Sequence, residues 1–329
     1  MNQQEHASVG SQRIVGESPA FRAAMTTLDR IKCSEAPVLI EGETGCGKEV
    51  AARAIHYGGP RSAAPFVPLN CGALPDLLFE SELFGHERGA FTDARERRRG
   101  LVAEADGGTL FLDEVDALSP KAQVALLRFL QDQRFRPLGS TREQHCDLRL
   151  IAACNRPLAA LAAAGTFRQD LLYRLDVLHL GLPPLRERSG DAALLARHFA
   201  ERFARKYGGA TKTFDASTLD WMAHYAWPGN IRELENWVHR EVLMGDGPVI
   251  RAAGAARADP DPGRAPLAPT SYRDARARAL EEFEREFLLR ALEATRGNVS
   301  NAALLVGKER RAFGKLLKKH AIDRAAIGR

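Results

Sequence analysis

The sequence predicts an α/β fold, a parallel sheet covered by helices, followed by a small all-α subdomain and a separate all-α tail. Three observations carry this. Short, continuously apolar runs recur between helix-like segments, the pattern of strands buried on both faces. Strand signals stop near Pro184, and only helical periodicity continues. A stretch rich in Ala, Pro and Gly, 251–271, then separates a last group of helical segments from everything before it.

The strands are expected at Pro37–Ile40, Phe66–Leu69, Thr109–Leu112, Leu148–Ala153 and Val177–Leu180. Between them Lys48–Tyr57, Lys121–Gln133 and Leu158–Ala163 read as helices. Asp191–Lys206, Asp215–Tyr225 and Ile231–Met244 form the all-α subdomain. Pro260, Pro262, Pro266 and Pro269, with Gly254 and Gly263, make 251–271 an extended linker that cannot bury a core. Beyond it Leu280, Phe283, Phe287, Leu288, Ala291 and Leu292 give Tyr272–Thr295 a helical period. Asn298–Val306 and Lys308–His320 follow as two shorter helices meeting at Gly307. The implied divisions are a tail 1–13, an α/β part 14–184, a helical part 185–250, the linker 251–271 and a helical domain 272–329.

A length of 329 residues with 45% hydrophobic and 27% charged residues suits a soluble protein of about two domains. No apolar run approaches the ~18–20 residues of a membrane span, and Met1–Gln12 lacks the apolar core of a signal peptide. Cys33, Cys46, Cys71, Cys146 and Cys154 are odd in number and never spaced C-x-x-C, against a disulfide framework or a zinc site. The expected setting is the reducing cytoplasm, with no membrane partner. The net charge of +5 is unevenly spread: Ala294–Arg329 carries nine basic and two acidic residues, +7, leaving −2 on the remainder. A basic tail on a near-neutral body suits a polyanion-binding appendage; a solvated charged end is the alternative.

The first strand runs into Gly42-Glu43-Thr44-Gly45-Cys46-Gly47-Lys48, followed by Glu49. This is G-x-x-x-x-G-K after a strand and opening a helix, where backbone N–H groups and the helix N-terminus receive phosphate and Lys48 reaches the outer phosphates. The usual Mg²⁺-binding Ser or Thr is replaced by Glu49, and a merely tight glycine turn is the alternative. About 70 residues on, Thr109–Leu112 delivers Asp113 and Glu114 at a strand end. Asp113 there would hold Mg²⁺, through water, and Glu114 would polarise the attacking water of ATP hydrolysis. The alternative is a strand capped by solvated acids. Arg168 and Arg174 flank Gln169–Tyr173 and either serve the leaving phosphate or are ordinary surface arginines.

These segments together resemble the AAA+ domain of bacterial enhancer-binding proteins, the ATP-hydrolysing activators of sigma-54 RNA polymerase. The resemblance covers about Ile14–Met244 and rests on Ile14–Pro19, Gly42–Glu49, Asn70–Leu74, Glu80–Ala94, Gly107–Val115, Phe167–Leu175 and Trp227–Asn236. Glu49 follows the lysine in this family as well. The resemblance implies Val15 and Gly16 near adenine, Asn70 tethering the catalytic Glu114, Asn155 as sensor I and Arg232 as sensor II. Cys154 stands where the family usually has Thr. It further implies that Arg168 and Arg174 are arginine fingers reaching a neighbour's site, so that the active species is a ring, typically a hexamer.

The family's sigma-54-contacting loop reads Gly-Ala-Phe-Thr-Gly-Ala. Here it is Gly89-Ala90-Phe91-Thr92-Asp93-Ala94, with the contact residues Phe91 and Thr92 kept and the second glycine replaced by Asp93. A position needing φ > 0 is strained by Asp, and six such carboxylates around a ring would repel one another or an acidic partner. Nearby Arg88, Arg95, Arg97, Arg98 and Arg99 offset that charge.

The tail resembles the Fis-type helix-turn-helix that usually follows, which implies dimeric tails on double-stranded DNA upstream of a promoter. Lys308–His320 is the expected recognition helix. Lys308, Arg310 and Arg311 are candidates for base or phosphate contact, and Lys315, Lys318 and Lys319 for phosphates. Ala312, Leu316 and Leu317 are expected in its core, while Lys308 and Gly314 depart from the commoner family pattern. Family members often begin with a sensing domain. With about a dozen residues before Ile14, control is expected from a regulator acting in trans. The reading is an ATP-driven, DNA-bound activator of the sigma-54 closed complex. Its rivals are a DNA-binding ATPase that Asp93 has separated from sigma-54, and a non-hydrolysing repressor or architectural protein.

Overall fold

The computed structural model describes residues 14–91, 94, 96–245, 247–252, 288, 291–292, 295, 298–307 and 310–319. The chain forms two compact units, Met1–Ala255 and Ala256–Arg329.

In the first unit Ser18 caps α1 (Pro19–Ile31), with proline in the first turn. Then come β1 (Val38–Glu41), α2 (Lys48–Tyr57), β2 (Phe66–Asn70), α3 (Asp76–Phe84), β3 (Gly85–His86), β4 (Arg98–Arg99), α4 (Leu101–Glu104) and β5 (Thr109–Asp113). The α/β part continues through α5 (Pro120–Asp132), β6 (Arg134–Phe135), β7 (Gln144–His145), β8 (Arg149–Cys154), α6 (Leu158–Ala163), α7 (Gln169–Leu175) and β9 (Leu178–Gly181). The main sheet has the order β2-β5-β8-β1-β9 and its ladders are parallel. Its central strands are the continuous apolar runs of the sequence, because both faces are covered. Leu39, Leu110, Leu112 and Leu150 pack on one side and Val38, Ile40, Phe111 and Ile151 on the other.

The expected strands and helices form with their ends shifted by a residue or two. Four helices that the sequence does not announce, α1, α3, α4 and α7, also belong to the α/β part. The subdomain after Pro184 contains α8 (Asp191–Tyr207), β10 (Thr213–Phe214), α9 (Ala216–His224), α10 (Asn230–Met244) and β11 (Val249–Ile250). It is therefore not strictly all-α: β10 and β11 pair in parallel over two residues each, too short to leave a pattern in the sequence. Its core is aromatic, built from Phe199, Phe203, Met222, Trp227, Leu234 and Val238.

The described part of the second unit consists of α11 (Val299–Leu305) and α12 (Arg310–Lys319), with a left-handed turn at Gly307, φ 65°. Asn298 Oδ1 accepts from the amides of Ser300 and Asn301 at the head of α11. Leu288, Ala291, Leu292, Ala302, Ala303, Phe313 and Leu317 form its core. The predicted core is thereby corrected: Ala312 is exposed, Leu316 is half-buried, and Phe313 fills the centre. A methyl offers less apolar area than the neighbouring ring, so Phe313 sets the phase of the helix. Lys308, the proposed linker beyond Ala252 and most of Tyr272–Thr295 lie outside the described residues.

Candidate active site

β8 lies between β1 and β5, with Glu41 opposite Cys154 and Leu112 opposite Ala152. The residues that follow these strands therefore meet at one edge of the sheet, the carboxyl end where α/β proteins bind ligands. The loop after β1 turns through Gly45 at φ 80° and Gly47 at φ 102°, the left-handed region that glycine enters at little cost. Lys48, the first residue of α2, is buried. Its Nζ donates to Gly42 O at 2.7 Å, Glu43 O at 3.1 Å and Asn155 Oδ1 at 2.7 Å. Thr44 Oγ1 donates to the same Asn155 oxygen at 3.1 Å. A buried ammonium held by three replaceable oxygen acceptors fits a phosphate, whose oxygens would take over those contacts.

Asp113 ends β5 and accepts from the Glu114 amide at 3.0 Å. Burial pushes its carboxyl above the ordinary value, with the Lys48 charge opposing. A half-buried carboxylate of this kind fits a divalent cation, which would offset the desolvation. Glu114 stands at φ 57°, a left-handed conformation that costs a non-glycine residue about 1–2 kcal/mol. Its carboxylate faces Gly72: a Cβ there would come within 2.4 Å of Glu114 Oε2 and 3.4 Å of Asn70 Oδ1. Asn70 Oδ1 accepts from the Ala73 amide at 3.0 Å, so Asn70 and Glu114 flank one glycine. The Asn155 amide donates to Asp116 Oδ1 at 3.1 Å, tying the segment after β8 to the turn after Glu114.

The helical subdomain roofs this edge. Ile231 N donates to Gly45 O at 3.0 Å, and Arg232, in the first turn of α10, stands beside Gly45. Asn230, fully buried at φ 52°, donates through Nδ2 to Glu43 Oε2 and Thr44 O, both at 3.1 Å, and accepts from Leu185 N at 2.8 Å. Arg186 grips Glu43 with two parallel bonds of 2.8 and 2.6 Å. Arg186 and then Asn230 hold the Glu43 carboxyl down at about 2. On the other flank Val15 O and Gly16 meet Arg188, which is paired with Asp191 at 2.9 Å in a nearly water-free pocket. Asp191 also accepts from the amides of Glu17 and Ser18.

Of the candidate residues, Lys48, Asn70, Asp113, Glu114 and Asn155 thus meet at the carboxyl edge of the sheet, Arg232 stands beside Gly45, and Val15 and Gly16 lie against Arg188. Glu49 points elsewhere, exposed and paired along α2 with Arg53 at 2.8 Å. Arg168 and Arg174 are exposed at the head and in the last turn of α7, with Arg168 bound to its own Asp170 at 2.7 Å. Among the described residues neither makes a hydrogen bond or ion pair to the phosphate loop, Asp113 or Glu114. The sequence assigned no role to Asn230, Arg186, Arg188, Asp191 or Gly72. Gly72 and Asn230 lie within the segments Asn70–Leu74 and Trp227–Asn236, while the other three carry no such signal. The thiols of Cys46, Cys71 and Cys154 are all pushed up by burial, Cys71 to about 12, so none of these three is a thiolate at neutral pH.

The loop Gly89–Ala94 is partly described. Gly89 turns at φ 81° and donates to Ala94 O at 2.8 Å; Ala94 is buried, while Phe91 is exposed and rests edge-on against His86 at 4.9 Å. Thr92 and Asp93 lie outside the described residues. The loop is braced by the β6–β7 hairpin, since Glu87 N donates to Leu138 O and Leu138 N to Gly85 O, both at 2.9 Å. In the second unit Arg310 is exposed at the head of α12, which also carries Arg311, Lys315 and Lys318.

A phosphate loop after one strand, two acids after a second, a polar residue after the strand between them and a helical roof define an AAA+ ATPase fold. Family models agree: the Sigma-54 interaction domain matches residues 14–181, the AAA+ ATPase lid domain 186–255, and the bacterial regulatory protein, Fis family, 279–320. The chain belongs to the family of sigma-54-dependent transcriptional activators. It is 47% identical over 300 residues to the transcriptional regulatory protein ZraR of Klebsiella oxytoca, covering 91% of this chain and 67% of that one. Regulatory protein AtoC of Escherichia coli K12 is 42% identical over 318 residues, covering 95% and 69%. The crystal structure of NtrX from Brucella abortus in complex with ADP superposes with a TM-score of 0.75 at 32% identity, covering 97% of this chain and 72% of that one. The closed state of Hsp104, at 18% identity and a TM-score of 0.51, shares the fold.

Proposed function

We propose that this protein hydrolyses ATP at the edge of its parallel sheet and uses the cycle to press the Gly89–Ala94 loop on sigma-54, remodelling the closed polymerase complex from upstream DNA. The observation that carries the reading is the meeting of Lys48, Asn155, Asp113 and Glu114 at one edge, under a lid hydrogen-bonded to the phosphate loop. NtrX, which the chain resembles over most of its length, has been solved with ADP and with ATP.

Lys48 leaves its carbonyl partners for the outer phosphates, and Asn155 follows the γ-phosphate. Asp113 would hold Mg²⁺ through water, and the bound ion would supply positive charge to the phosphates. Glu114, released from its strained turn beside Gly72 and Asn70, polarises the attacking water. Arg168 and Arg174, exposed and remote from their own cleft, serve a neighbour's site in a ring, a hexamer by family habit. The helix-turn-helix tails pair on double-stranded DNA, with α12 in the major groove and Arg310, Arg311, Lys315 and Lys318 at bases and phosphates. The cell compartment is the cytoplasm; among the described residues no helix is long and apolar enough to cross a membrane.

Glu114→Ala is expected to lower ATP turnover at least ~10²-fold while nucleotide still binds. Unchanged turnover in a phosphate-release assay would remove Glu114 from the mechanism. A complex of the protein with sigma-54 and ADP–aluminium fluoride, seen on a native gel, tests the partner. A complex formed only by Asp93→Gly favours the second reading, a DNA-bound ATPase whose loop has lost sigma-54.

A further inference from the structure

Gln123, on α5, is one of the buried polar side chains that the mechanism above does not use. It is 1% exposed, yet fully bonded to two segments of the chain, at Leu118 and at 166–168. Its Nε2 donates to Leu118 O at 3.0 Å and to Thr166 O at 3.1 Å, and its Oε1 accepts from the Arg168 backbone amide at 2.9 Å. The opposite amide orientation would set N–H against N–H and oxygen against oxygen, so the three partners fix it. Burying a primary amide is costly unless all its bonds are made, and here they are made to main chain rather than to neighbouring side chains.

The two segments are not arbitrary. Leu118 closes the short turn that Glu114 opens: Ala117 N donates to Glu114 O at 2.9 Å and Leu118 N to Val115 O at 3.2 Å. Glu114, at φ 57°, is the strained residue of that turn. Arg168 is the N-cap residue of α7, so its amide position sets where that helix begins and where its own guanidinium and that of Arg174 stand. Gln123 therefore joins, through one side chain, the end of the turn that Glu114 opens to the backbone at the start of the helix that carries Arg168 and Arg174.

We propose that Gln123 is a positioning residue that couples the state of a subunit's own Glu114 turn to the placement of the Arg168 finger in the neighbouring site. This rests on the reading that Arg168 acts in trans. A shift of the turn moves Leu118 O, the amide follows to keep its bonds, and the start of α7 moves with it. No other described side chain bonds both to Leu118 O, the last carbonyl of that turn, and to the Arg168 amide.

The test uses mixed rings of the full chain. Lys48→Ala subunits lack the phosphate ligand but keep their fingers, and Arg168→Ala subunits lack the finger but keep their site. Mixed, the two are expected to recover turnover that neither has alone. Absence of recovery under confirmed co-assembly overturns trans action itself, and with it the proposal. Given recovery, Gln123→Met, which keeps the packing volume and loses the three bonds, is expected to lower kcat by about 10- to 100-fold. ADP affinity should stay within about twofold, and turnover should recover on mixing with Lys48→Ala but not with Arg168→Ala. That placement in the finger's complementation group is what a general packing defect would not produce. Unchanged kcat, or failure to complement Lys48→Ala, overturns the proposal. Hydrogen exchange in the wild-type chain tests it without a variant: the Arg168 amide is expected to change protection between ADP and ADP–aluminium fluoride. Equal protection in the two states also overturns it.

Discussion

Asp113 shows how one residue can weaken a fold in order to serve a site. Its carboxyl titrates above the ordinary 3.8 because burial disfavours the charge more than Lys48 and the Glu114 amide favour it. A raised carboxylate pKa means that the folded state binds the proton more tightly, so stability falls as pH rises through that range and stays lower at neutral pH. Asp113→Asn, free of the charge, is expected to raise the melting temperature of the nucleotide-free protein at pH 7. The gain should shrink as the pH falls through the raised pKa and be gone below the ordinary 3.8, and ATP turnover should be lost. A lower melting temperature in calorimetry would mean that the charge is satisfied by its neighbours. The pair Asp113-Glu114 was legible in the sequence as acids at a strand end. The left-handed turn at Glu114 and the glycine that its carboxylate needs at position 72 were not, because both arise from the return of β2 beside β5.

At the scale of elements, side-chain bonds to Glu43 hold the lid to the phosphate loop. Arg186 and Asn230 come from the lid side and meet Glu43 on the loop. A carboxyl held at about 2 in the fold and near 4.5 when free gives a contribution that is complete above pH 4.5 and is lost as the pH falls towards 2. Arg186→Gln should therefore melt below the wild type at neutral pH, with a gap that narrows as the solution is acidified. A gap independent of pH would assign the effect to packing. Both partners are more than a third exposed, so solvent screening keeps the contribution small. The helices and strands of this region were visible as apolar periods. Their docking was not, since Glu43 and Asn230 are 187 positions apart and the local motif around each does not specify the other.

Over the whole molecule the division into two units carries its own expectation. Residues 1–255 hold the sheet, the lid and their cores, whereas the basic helix-turn-helix belongs to the second unit. A fragment of residues 1–255 should fold and bind ADP as the full chain does, and lose retention on a duplex DNA column at moderate salt. Loss of ADP binding in the fragment would show that the second unit supports the first.

Sequence alone determined the elements and the chemistry that lies within a few residues of itself. The phosphate loop, the acids after β5, the apolar strands and the basic tail each depend on neighbours in the chain, where spacing is enough to reveal them. Tertiary structure decided what faces what. β8 enters between β1 and β5 and carries Asn155 to Lys48, the lid brings Asn230 and Arg186 to Glu43, and Gln123 reaches from α5 to the Glu114 turn and the head of α7. Most of those bonds join residues far apart in sequence, whose partners are chosen by packing rather than by any local preference.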